Sequence, residues 1–132
     1  MIKLYFTSLF YFVIIDTVGI QAFVIRVYRQ NLPSNLRVEL NLGSAILFYI
    51  IFVFGLVYFV IAPQKNSHLS SLIIPSVIYG LVTYATYALT VKAAFNIFNW
   101  IIVISDILWG MLLCTLISLL TVYTANKVGF LS

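Results

Sequence analysis

Charge is what this sequence has least of. Only 8% of its 132 residues are charged, three Asp/Glu against seven Lys/Arg, for a net charge of +4. A water-facing surface needs roughly 25–35% charged residues, so a soluble globular domain is excluded. Disorder is excluded as well, because it requires low hydrophobicity together with high charge. The few basic residues form no clustered patch, and no nucleic-acid partner is expected. A single cysteine, Cys114, rules out an internal disulfide. A single histidine, His68, with no companion cysteines rules out a structural zinc site. No cofactor is expected.

What the chain has instead is apolar length: 64% of it is hydrophobic. A membrane-spanning helix needs about 20 mainly apolar residues. Four stretches qualify, over about residues 4–25, 42–62, 69–91 and 97–122. Each is continuous and about twice the length of a barrel strand. The expected fold is all-α, one transmembrane domain built as a four-helix bundle in the lipid bilayer. The first stretch is read as a retained helix rather than a signal peptide. It is too long, contains Asp16 and is followed by no small-residue cleavage site. Pro63 is expected to end the second helix, and Pro75 falls in the first turns of the third. The first connection, Arg26 to Asn41, carries Arg26, Arg29, Arg37, Glu39 and the helix-breaking Pro33. Pro63–His68 and Lys92–Asn96 read as short polar turns. An even number of spans puts both termini on one side. The basic residues divide four against three, leaning toward a cytoplasmic first loop. A bacterial inner membrane or an organelle membrane would suit such a chain.

Charge inside a span is the informative exception. A carboxyl at a helix centre costs about 2.5–3.5 kcal/mol on insertion scales. Two occur, Asp16 in the first span and Asp106 in the fourth. At about 1.5 Å per residue both are expected at similar depth, in the half of the bilayer nearest the first and third loops. Tyr49, Tyr84, Tyr87 and Trp109 fall in the same half. These six residues are expected to form one polar layer, which Arg26 and Lys92 would cap from the loop side. In the fourth span Asp106, Gly110, Cys114 and Ser118 recur every four residues and share a stripe. Ser76 and Gly80 make a similar small pair in the third. Small residues let helices pack closely in lipid.

Plainer readings stand beside these. Asp16 and Asp106 would also serve as neutral hydrogen-bonding glue between helices, and the tyrosines as packing or hydrogen-bond partners. Trp100 reads as an interface marker, Cys114 as a small packing residue and His68 as an exposed loop residue.

Ile15-Asp16 stands in the first span, and Phe48-Tyr49 and Gly55-Leu56-Val57 in the second. Gly80 through Tyr87 follows in the third and Asp106-Ile107-Leu108-Trp109-Gly110 in the fourth. With this ordered set the chain resembles the domain of unknown function 2177 family of small four-helix bacterial membrane proteins. The resemblance implies a fold and a membrane location but no reaction. The family commonly has tryptophan at the position of Gly19, aspartate at Ala88 and asparagine at Val91. An activity that depends on those polar groups would be lost or changed in this chain.

Three functions compete. The first expectation is a non-catalytic subunit or assembly partner of a larger membrane complex, with protein partners or further copies of itself. The second is a small proton- or ion-coupled transporter using Asp16 and Asp106. The third, an intramembrane enzyme acting on lipid, lacks a nucleophile–base pair or a metal-ligand cluster, and the chain is not expected to be an enzyme. If the carboxyls are neutral hydrogen-bond partners, Asp16→Asn and Asp106→Asn should accumulate in the membrane at wild-type level. Immunoblotting of isolated membranes checks this, and loss of either variant would count against that role.

Overall fold

The computed structural model describes residues 2–31, 42–64 and 68–128. They form four helices, each long and apolar enough to cross a membrane: α1 (Ile2–Asn31), α2 (Leu42–Gln64), α3 (Leu69–Phe95) and α4 (Trp100–Val128). No strand occurs among the described residues. The protein is an all-α bundle of four transmembrane helices.

One spacing organises the interior. The buried positions of α1 are Leu4, Ser8, Phe12 and Asp16, four residues apart, followed by Gly19. In α3 they are Leu72, Ser76, Gly80 and Ala88. In α4 the stripe from Ile102 through Asp106, Gly110, Cys114 and Ser118 to Val122 keeps the same step. Rows of residues four apart are the ridges that mesh most often when helices pack. Here the middle members of the α3 and α4 stripes, Ser76 and Gly80 and then Gly110, Cys114 and Ser118, are small, so these two helices can approach closely.

The α3–α4 contact is backbone to backbone. A Cβ on Gly80 would lie 2.6 Å from the Gly110 carbonyl oxygen and 2.7 Å from Met111 Cα. Ser76 and Ser118 are fully buried, and their hydroxyls have no hydrogen-bond partner among the described residues. Their contribution is small size. Away from the third loop, α1 is stitched to α4 by Ser8 donating to Thr121 at 3.1 Å and by the Tyr11–Thr124 hydroxyl pair at 2.6 Å. Tyr5 donates to the Ile50 carbonyl and Tyr79 to the Phe52 carbonyl, tying α2 to both neighbours.

The helix limits differ from those expected. Helix α1 continues through Arg26 and Arg29 to Asn31, so these arginines belong to a helix and not to a loop. Asn31 donates to the Val27 carbonyl and accepts from Asn99 at 2.9 Å, which fastens this polar extension to the start of α4. Helix α2 runs through Pro63 to Gln64. It tolerates the proline behind a widened π-type turn over Val57–Ile61, a common adjustment where a regular helix would be strained. The turn between α3 and α4 is Asn96–Asn99. Asn96 sits in the left-handed region at φ 53° with its amide on the Lys92 carbonyl. Asn99 caps α4 by accepting from the Ile102 amide at 3.0 Å. Apolar run length does not register such caps: the expected third span ends four residues before α3 does, and the expected fourth span begins three residues before α4. Arg37, Glu39, Pro33 and Lys65 lie outside the described residues.

Gly80→Ala should lower stability in detergent by about 1–3 kcal/mol, because the facing atoms are backbone and cannot give way. Ser76→Ala should be neutral or stabilising, since it removes a buried hydroxyl without a partner. Thermal unfolding of the two purified variants checks the contrast.

Candidate functional site

The six expected polar-layer residues do converge. Asp16, Tyr49, Tyr84, Tyr87, Asp106 and Trp109 all line one cavity of about 520 Å³. All four helices contribute to it. Both carboxyl residues are only 4% exposed.

Each carboxyl is held by aromatic donors. Asp16 accepts from the Tyr49 hydroxyl at 2.8 Å through Oδ2 and from Trp109 Nε1 at 3.2 Å through Oδ1. This joins α1 to α2 and α4. Asp106 accepts from the Tyr28 hydroxyl at 2.5 Å through Oδ2, and Tyr28 in turn meets the Tyr87 hydroxyl at 3.1 Å. This joins α4 to α1 and α3. No lysine or arginine is among these partners. Asp106 Oδ1 has no protein partner in this set, and neither does the Tyr84 hydroxyl, so the wall keeps unused polar capacity.

Tyr28 is not among the six expected residues, since it lies beyond the apolar run of the first span. It reaches Asp106 through a π-type turn over Ile20–Val24. Twelve residues separate Asp16 from Tyr28, about 3.3 turns of a regular helix; absorbing one residue in a widened turn leaves about 3.1 turns. That brings both residues close to one face. Phe98, which is buried, then holds the Tyr28 ring edge-on at a centroid distance of 5.5 Å.

The carboxyls are not at one depth. Asn31 and Asn99 are bonded and therefore level. At about 1.5 Å per residue, Asp106 lies about 10 Å below that level and Asp16 about 20 Å below it. The expected layer is a ladder, with Tyr84 within electrostatic range of both carboxyls. Arg26 and Lys92 are not among the lining residues. Lys92 Nζ instead donates to the Phe98 carbonyl at 3.0 Å and lies 4.9 Å from the centre of the Trp100 ring, at the α3–α4 turn.

Two glycines seat the aromatic wall. A Cβ on Gly19 would collide with the Trp109 ring, and one on Gly110 with the Tyr84 ring. Gly110 therefore supports the wall as well as the α3–α4 contact. The small-residue stripe continues below through Cys114 and Ser118, both buried. Phe52 lines the cavity, and the buried Phe12 ring packs behind it at 5.1 Å between centroids. Gly19 thus gives room to the indole that binds Asp16. Ala88 is fully buried against Phe98 and Ile102, with Val91 packed beside it, so these positions are apolar packing here.

A cavity walled by aromatics and two buried carboxyls, inside a bundle of four helices long and apolar enough to cross a membrane, defines a polytopic membrane protein with a buried polar centre. The family of predicted membrane proteins known as DUF2177 matches residues 1–123, and the chain belongs to it. No curated protein and no solved structure matches the chain.

Gly19→Ala should push the Trp109 indole off Asp16. In a Trp100→Phe background, where Trp109 is the sole tryptophan, the emission maximum should shift relative to the Gly19 parent. An unchanged spectrum would show that the glycine does not seat the ring.

Proposed function

We propose that this protein is a small proton-coupled carrier whose working groups are Asp16 and Asp106. The observation that carries the reading is the cavity of about 520 Å³ that reaches both carboxyls. Ionisable groups inside a membrane normally mark proton or substrate pathways. Carboxyls used only as glue would be enclosed by their partners, whereas these border open volume, and Asp106 Oδ1 has no hydrogen-bond partner among the described residues. The ladder arrangement adds to this support, because a proton or cargo released from Asp106 has a second acceptor deeper in the membrane. Tyr28 and Tyr87, bonded to each other, connect the upper carboxyl to α1 and α3. Relative movement of those helices would change the surroundings of Asp106.

The assembly-partner reading calls for a sealed bundle, and the cavity weighs against it. It keeps a direct test in extraction with mild detergent. The carrier reading expects a lone chain or a small homo-oligomer; recovery at fixed stoichiometry with other proteins would favour a subunit. We place the protein in a bacterial inner membrane, both termini on one side and the first loop in the cytoplasm.

The carrier reading is tested without knowledge of the cargo. On a solid-supported membrane, a pH jump applied to reconstituted protein should give a transient current from protons reaching the carboxyls. The Asp16→Asn/Asp106→Asn double variant, folded and reconstituted equally, should lose it. Absence of the current in the wild type would sink the reading.

A further inference from the structure

The cavity's chemistry narrows its ligand, given the carrier reading above. The charged groups among its lining residues are the two carboxyls, with no lysine, arginine or histidine beside them. An anion would meet repulsion and no compensating donor. A sugar or other polyol would need many free donors, but the hydroxyls of Tyr28, Tyr49, Tyr87 and Thr83 are already engaged. A hard metal ion would need about six or more oxygen ligands, and the wall is mainly aromatic. No group of three His, Cys, Asp or Glu able to hold a metal occurs among the described residues. A cation with an apolar body matches all three features: negative charge, aromatic faces that attract cations, and a volume in the usual range for small organic ligands of about 300–1,000 Å³.

A second cavity of about 480 Å³ lies between α1 and α2. Its wall is mainly apolar, with Leu9, Val13 and Ile46 joined by Thr17 and Gln21. It shares Ile20, Ala45 and Tyr49 with the first cavity. Tyr49 thus stands between them together with Ile20 and Ala45, and its hydroxyl donates to Asp16. Val13 and Ile46 are exposed on the outer surface of the bundle, which in a membrane faces lipid. A ligand dissolved in the bilayer would meet this groove first, and displacement of the Tyr49 ring would open the way to the carboxyls.

We propose that the cavity binds a lipid-soluble organic cation, taken from the bilayer through the α1–α2 groove and held between the Asp16 and Asp106 carboxyls and the surrounding aromatic rings. Protons would compete with it for the carboxyls, so binding should weaken as pH falls.

The probe is tetraphenylphosphonium, with tetraphenylborate as an anion of the same shape. Binding is read as quenching of Trp109 fluorescence in purified Trp100→Phe protein. Tetraphenylphosphonium should bind and the borate should not. Asp106→Asn should weaken binding by about tenfold or more, as loss of one close charge contact implies. Asp106→Glu, which keeps the charge, should restore most of it and so separates charge from folding. Equal binding of both ions, or an unchanged affinity in folded Asp106→Asn, would overturn the proposal. Failure of tetraphenylphosphonium to bind while the pH-jump current persists would overturn the ligand class and leave the carrier reading standing. Ile46→Phe, which fills the groove without adding a second indole to the readout, should slow association; an unaltered rate would overturn the lateral route.

Discussion

A carboxyl group inside hydrocarbon must find polar partners within the protein, and this bundle buries two. On insertion scales each costs about 2.5–3.5 kcal/mol at a helix centre, and a single hydrogen bond returns only about 0.5–1.5 kcal/mol net. No cation is among their hydrogen-bond partners. Aromatic donors on other helices meet the need instead, Tyr49 and Trp109 for Asp16 and Tyr28 for Asp106. Because every donor comes from a different helix than its acceptor, satisfying the carboxyls also fixes how the helices face one another. Tyr28 reaches Asp106 from beyond a widened turn in α1. Trp109 reaches Asp16 over a residue without a side chain.

Packing and polarity divide the length of the bundle. Toward the third loop, aromatic rings hold the helices around open volume. Toward the other end, the four-residue stripes close up, with Leu113, Ile117 and Ala125 of α4 fully buried. The closest backbone approach described, Gly80 against Gly110, lies between these regions and is also where the Tyr84 ring rests. The bundle is thus open beside the carboxyls and closely packed along the Leu113–Ala125 stretch of α4, and the carrier reading rests on the open part, the cavity that reaches Asp16 and Asp106.

Much of this was legible in the sequence. Four apolar runs could only be helices, since nothing else satisfies an open backbone in lipid. Asp16 and Asp106 stood out because so few charges lie within those runs, and the four-residue recurrence from Asp106 to Ser118 marked the packed face of α4. Tyr28 was hidden because it lies past the apolar run. Its helix continues through polar residues held by Asn31 and Asn99, and its facing depends on a turn that shifts the register. The different depths of the carboxyls were hidden for the same reason, since depth had been measured from the wrong helix end. Asn96 and Asn99 did carry readable signals, as a left-handed helix stop and an N-cap.

The central claim is that Asp16 and Asp106 are working groups that exchange protons with their surroundings rather than sealed cross-links. Infrared difference spectroscopy of the reconstituted protein, stepped across its stable pH range, tests it most directly. The account predicts a carboxyl C=O band that changes with external pH and loses a component in each single asparagine variant. A wild-type carboxyl signal that does not respond to pH anywhere in that range would contradict it.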